Sequence, residues 1–175
     1  MAISAFVVRV PEAEACVGAL RERFDATTSL GVPAHITVLV PFMSPERITD
    51  AVLREAQAAI AESCSFEFTL AKIARFPTTA YLAPELPEPF VVLTQALVRR
   101  FPTFPPFAGE FPTIVPHLTV AHGSAPEAEI AATELGLTMQ RHGPIRSICK
   151  AVVLLENSSG RWNEMHTFAL APRDG

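Results

Sequence analysis

Two short stretches decide how this chain is read: Val32-Pro33-Ala34-His35-Ile36-Thr37-Val38, running on to Val40, and Val115-Pro116-His117-Leu118-Thr119-Val120. They match if one inserted residue is allowed. Each is β-branched and apolar enough to be a short strand, over 35–40 and 117–121. Residues i and i+2 of a strand share a face. Each copy therefore sets an imidazole beside a hydroxyl, while Ile36 and Leu118 point into the packing behind. Each copy is also followed by a proline-started helix signal, Ser44-Pro45-Glu46 and Ser124-Ala125-Pro126-Glu127. The chain thus reads as a pseudo-repeat of two halves.

Working outward, Ile3–Val10 is a strand, and Pro11 opens a helix with Cys16, Leu20 and Phe24 on one buried stripe. The Ser44 signal predicts a helix running to about Ser63, with Ile48, Val52, Ala56 and Ile60 inward. Phe66–Phe76 and Thr79–Leu82 make a hairpin. A helix over Pro89–Phe101 buries Phe90, Leu93, Leu97 and Phe101. Residues 101–116, FPTFPPFAGEFPTIVP, carry too many prolines for a helix or a central strand and form a long ordered loop. A helix over Pro126–Leu135 follows. Strands at Ile145–Leu155 and Met165–Leu170 are joined through Asn157-Ser158-Ser159-Gly160. Strands and helices interleave, so the fold class is α+β or α/β.

The chain has 175 residues, 49% hydrophobic and 18% charged, with a formal net charge of −4. That is a globular balance, large enough for a core without disulfide or metal staples. Neither half is strongly basic, which argues against long duplex nucleic acid as a partner. No segment reads as a signal peptide or a transmembrane helix, so no membrane partner is expected. Cys16, Cys64 and Cys149 are odd in number and scattered, as expected of a reducing, cytoplasmic setting. His35, His117, His122, His142 and His166 lack the tight spacing of a metal site, so neither metal nor cofactor is expected.

If an approximate two-fold axis relates the halves, His35, Thr37, His117 and Thr119 surround one small volume. That suits phosphodiester chemistry. One imidazole deprotonates the nucleophile and the other protonates the leaving oxygen. The two hydroxyls donate to phosphate oxygens as negative charge builds. Among the aromatic residues able to stack a base (Phe42, Tyr81, Trp162, Phe104, Phe107 and Phe111), Phe42 is singled out because it follows the first motif strand. Arg75, Arg146 and Lys150 are further candidate phosphate donors.

The paired motifs resemble those of the 2H phosphoesterase superfamily, and more narrowly its bacterial 2′-5′ RNA ligase-like branch. HITVLVPF and PHLTVAHG carry the resemblance, supported by the Pro/Phe-rich loop and the closing GRW…HTFAL. The resemblance covers nearly the whole chain. It implies an α+β bilobal fold, residues 1–175 forming one domain of two pseudo-symmetric lobes. Each lobe has a mainly antiparallel sheet with helices outside, and a cleft lies between them. It also implies metal-independent hydrolysis of 2′,3′-cyclic phosphates of RNA ends or nucleotides. In that reading His117 is the base, His35 the acid, and Thr37 and Thr119 bind phosphate; the reverse assignment of the histidines stays open.

Several relatives place an Arg after the second motif, where this chain has Ala121-His122-Gly123. In a regular strand His122 faces away from His117, and only a bend at Gly123 would make it a phosphate contact. Two alternatives remain at this stage. One is a nucleotide- or phosphate-binding module with little turnover. The other is 2′-5′ joining of RNA ends without a nucleoside triphosphate, since no GxxxxGK[ST] is present. The sequence does not fix the oligomeric state, and a monomer is compatible with it.

Overall fold

The computed structural model describes residues 1–173. Its strands are β1 (Ser4–Arg9), β2 (His35–Phe42), β3 (Phe66–Phe76), β4 (Thr79–Pro84), β5 (Leu118–His122), β6 (Ile145–Cys149), β7 (Ala151–Glu156) and β8 (Asn163–Ala169). Its helices are α1 (Glu14–Phe24), α2 (Asp50–Ile60), α3 (Glu88–Arg100) and α4 (Ala125–His142). The strand order is β6-β3-β4-β5-β2-β1-β7-β8, and every neighbouring pair is antiparallel. Two four-stranded halves meet where β2 and β5 touch, and there the ladder is a single pair, Ile36 opposite Leu118. The fold is the expected α+β.

The helices lie behind the sheet. α2 and α3 pack together on the β2 side, and α1 and α4 together on the β5 side. The core between holds Phe6, Ile36, Leu39, Leu82, Leu93, Leu118 and Phe168, none more than 1% exposed. Phe42 lies at its centre, with ring centroids 4.8 Å from Phe6, 5.1 Å from Phe101 and 5.0 Å from Phe104. Aromatic pairs at such spacings add to simple area burial.

Three elements depart from the sequence reading. The helix expected from Ser44 begins instead at Asp50. Ser44 makes no capping bond, Pro45–Arg47 forms only a 3-10 turn, and Thr49 caps α2 by accepting from the Val52 amide. The strand expected over 145–155 breaks at Lys150, because its two parts pair in different halves: β6 with β3, β7 with β1. α4 runs seven residues past Leu135, to His142. It is held at its start by a full Ser124–Glu127 capping box, and Gly143 ends it at φ 79°.

One buried ion pair fixes α1 against the junction of the halves. Arg21 and Asp25, 1% and 4% exposed, lie 3.1 Å apart. Arg21 also donates to the Val32 carbonyl at 3.0 Å, and Asp25 accepts from the Thr27 amide and hydroxyl. Removing one charge strands the other in a dry site, whereas removing both need not cost stability. Asp25→Ala is therefore expected to lower stability in urea unfolding by about 3–5 kcal/mol. The double substitution Arg21→Met/Asp25→Leu should recover most of that loss.

Candidate functional site

The Ile36–Leu118 pair sets the site. Both side chains are fully buried on the helix side, so their chain neighbours face the other way. The antiparallel register then sets His35 beside Thr119 and Thr37 beside His117. Directly opposed Cβ atoms are about 4.5–5.5 Å apart and diagonal ones about 7–8 Å. The two imidazoles lie on one diagonal of this quartet and the two threonines on the other.

Both rings are oriented in the same way. His35 Nδ1–H donates to the Pro33 carbonyl at 2.8 Å, and His117 Nδ1–H to the Val115 carbonyl at 2.6 Å. Each neutral ring therefore keeps its lone pair on Nε2, the nitrogen free to exchange a proton. Burial low in the cleft pushes His35 down to about 4. The hydrogen bond to Pro33 opposes this, the Arg21 charge adds to it, Asp25 opposes it, and a positive His117 would depress it further. The two rings are thus close enough to titrate as a coupled pair. His117 is also lowered by burial. Its ring lies 5.3 Å from Phe76, edge to face, and 5.2 Å from Tyr81.

His122 lies on the cleft face. The β4–β5 pairing slips by one residue, Tyr81 facing Thr119 while Ala80 faces Ala121 and Thr79 faces His122. This bulge turns Val120 and Ala121 both into the packing, where they are fully buried, and restores His122 to the side of Thr119. The reversal comes from the bulge, ahead of Gly123. His122 Nδ1 lies 2.8 Å from the Thr79 hydroxyl, and its ring is exposed.

Phe42 is a correction. It is 3% exposed and enclosed by phenylalanines, so no base can reach its ring. Two register slips between Thr37 and Phe42 leave it in the core with Ile36, while Val40 between them lines the cleft. Arg75 points toward α4, where it donates to the Ala125 carbonyl. Arg146 lies on the outer strand β6, and Lys150 sits in the break before β7.

The sequence reading missed Arg9. It lies directly across from His35 on the cleft face and pairs with Glu164 at 2.6 Å. As the one charge in an otherwise apolar strand, it carried a signal. Beyond it, Ala5, Val7 and Leu155 floor the cleft, and Val32, Val40 and Trp162 wall it. Among the described residues no group of three His, Cys, Asp or Glu side chains gathers as metal ligands. No described helix is long and apolar enough to cross a membrane.

This arrangement has relatives. The model of the 2′-5′ RNA ligase superfamily matches residues 9–161, and the chain belongs to that family. A Bacillus cytotoxicus protein named "Putative phosphoesterase" is 27% identical over 154 residues, covering 86% of each chain. LigT of Escherichia coli in complex with 3′-AMP superposes with a TM-score of 0.60 at 15% identity, covering 97% of this chain and 98% of LigT. LigT has also been solved with NADP+ and with ATP. The protein TT0787 of Thermus thermophilus gives 0.57 at 17% identity, covering 98% and 100%. The match in fold runs through the whole chain, as the paired motifs implied.

The depressed His35 has a consequence for stability. An imidazole free in the unfolded chain titrates near 6.5. The unfolded chain therefore binds the proton more tightly than the folded one. This contribution is intact above about pH 6.5 and is lost as pH falls toward 4. It should amount to roughly 2–3 kcal/mol. Urea unfolding at pH 7.5 and pH 4.5 should show a larger drop for wild type than for His35→Gln.

Proposed function

We propose that this protein is a metal-independent phosphodiesterase that opens 2′,3′-cyclic phosphates of RNA ends or nucleotides. The single Ile36–Leu118 pairing carries the reading, because it brings the two imidazoles and two hydroxyls to opposite corners of one cleft. In-line displacement at phosphorus needs a proton acceptor and a proton donor on opposite sides, and diagonal histidines meet that need. The family, and nucleotide complexes of a protein with the same fold, support a nucleotide-like substrate. Residues 1–175 then act as one bilobal domain with the cleft as its centre. The three unpaired cysteines fit a reducing compartment, which we take to be the cytoplasm.

Each histidine has a role suited to its surroundings. His35, pushed down to about 4 by burial, stays neutral and accepts the proton of the attacking water through Nε2. His117 lies beside Phe76 and Tyr81 on the other side of the cleft. It gives its proton to the departing sugar oxygen. This reverses the roles that the family resemblance implies. Thr37 and Thr119 donate to the non-bridging oxygens as charge develops. His122, brought to the same face, is the further phosphate contact.

Turnover of 2′,3′-cyclic mononucleotides and short cyclic-phosphate RNAs, with EDTA throughout, tests the activity. His35→Ala and His117→Ala should each lower kcat by about 10²–10⁴-fold. His122→Ala should raise KM several-fold with little change in kcat. Full activity in either His35→Ala or His117→Ala would sink the mechanism. A substrate with a good leaving group separates the roles. On a p-nitrophenyl phosphodiester, His117→Ala should regain most of its lost rate and His35→Ala should not. The opposite pattern would restore the roles the resemblance implies.

A further inference from the structure

The two motif segments differ by one residue, Ala34, and the difference falls in the backbone that holds the histidines. His117 Nδ1–H donates to the carbonyl of the Val115–Pro116 peptide, whose proline nitrogen carries no hydrogen. His35 Nδ1–H donates to the carbonyl of the Pro33–Ala34 peptide, which keeps an N–H. That N–H donates to the Glu14 carboxylate at 2.7 Å. We propose that Glu14 is a positioning residue for His35. Through the Pro33–Ala34 peptide it fixes the tautomer and aim of the ring, as a directly bonded carboxylate does in a catalytic triad. The choice of reaction rests on the phosphodiesterase reading.

A peptide unit is planar and stiff, so a partner at its nitrogen sets the direction of its oxygen. Glu14 Oε1, the peptide and the imidazole form one chain of hydrogen bonds, N–H to carboxylate at one end and Nδ1–H to carbonyl at the other. A charged acceptor at the nitrogen polarises the peptide and makes its oxygen the stronger acceptor. This favours the neutral ring with its hydrogen on Nδ1 and its lone pair on Nε2, the form that takes a proton from water.

The rest of the segment is held as fully. The Val32 amide donates to the Thr27 carbonyl at 3.1 Å, and the Val32 carbonyl accepts from Arg21 at 3.0 Å. Ala34 is fully buried, and its carbonyl accepts from the Val10 amide at 2.9 Å. Val32 also walls the cavity of about 100 Å³ that His35 and Thr37 border, so the segment is held from behind and meets the cleft in front. Glu14 opens α1, and among the described residues its carboxylate makes no ion pair and no second hydrogen bond. The stretch ahead of His117 has no such support. Among the described residues, the one hydrogen bond of 111–116 is that accepted by Val115 from the ring itself.

The test compares Glu14→Ala with Glu14→Gln, whose amide oxygen still accepts from Ala34. Nitrogen NMR of the imidazoles at neutral pH reads the tautomers, with the His35 signals identified by their loss in His35→Gln. Wild type and Glu14→Gln should show His35 as a single Nδ1–H tautomer. Glu14→Ala should show a mixture of both, with the His117 signals unmoved. In turnover of 2′,3′-cyclic nucleotides, Glu14→Ala should lower kcat about 10–100-fold, as for carboxylates that orient metal-bound histidines, and leave KM within about twofold. Glu14→Gln should retain most of the rate. In a His35→Ala background the same change should cost less than about twofold, because the ring it acts through is gone. Glu14→Met keeps the length of the side chain without an acceptor, and it stands in for a Glu14→Ala that fails to fold.

A His35 tautomer unchanged in Glu14→Ala would overturn the positioning role while leaving the phosphodiesterase reading intact. Equal shifts at His35 and His117 would overturn it too, as would a Glu14→Ala loss undiminished in the His35→Ala background; each marks a general effect on the fold. A Glu14-dependent tautomer in a protein that turns over no cyclic phosphate would uphold the hold on His35 and remove the phosphodiesterase reading.

Discussion

The two halves of this molecule share one pair of strand residues, Ile36 and Leu118, and the rest of the structure depends on that ladder being so short. The next position along would set Val38 opposite Pro116, and proline has no amide hydrogen to give. The Val38 carbonyl takes its hydrogen bond from the Thr94 hydroxyl of α3 instead, at 2.7 Å. In the other direction the Ala34 amide is claimed by the Glu14 carboxylate at 2.7 Å. There β5 also bulges at Val120 and Ala121. A longer ladder would close the cleft into a continuous sheet, and no ladder would leave the two motifs unrelated. One pair holds them in register and lets the strands part on either side.

That register makes the quartet symmetric, and the surroundings break the symmetry. Both rings are held by the carbonyl two residues back, so the local geometry is the same. The difference lies further out. Near His35 sits the Arg21–Asp25 pair, whose two charges act on its ring in opposite directions. Around His117 sit the rings of Phe76 and Tyr81. The two copies of one motif thus meet different surroundings, with no change in the motif itself.

What the sequence made legible was what obeys a fixed period. His35, Thr37, His117 and Thr119 were readable because side chains alternate in a strand, and the buried residues between them mark the face. Phe42 was not open to counting, because the β1–β2 register slips twice between Thr37 and Phe42, and nearness in sequence to the motif misdirected the reading. His122 was not readable, because a bulge changes the parity of every residue after it and a single sequence does not reveal the bulge. The break at Lys150 was equally hidden. Val152, Val153 and Leu154 continue the apolar pattern of 145–149, and only the partners differ. Trp162 was legible as an aromatic residue in the turn before β8. Its place beside His35 depends on two loops meeting in space.

Those two loops show how a wall is built without secondary structure. The Trp162 amide donates to the Leu30 carbonyl at 2.8 Å, and the Arg161 guanidinium to the Ser29 carbonyl at 2.9 Å. Gly31 permits the close approach. Its φ is +94°, and a Cβ there would lie 3.1 Å from the Trp162 carbonyl oxygen. A side chain at this position would strain the backbone and push the loops apart. The first loop begins at Asp25, the residue that neutralises Arg21, and ends at Pro33, whose carbonyl orients His35. The same short span thus holds the counter-charge, the cavity wall and the histidine in order. A change that loosens one of them is transmitted to the other two through covalent backbone, which is why the cavity and His35 belong to one site.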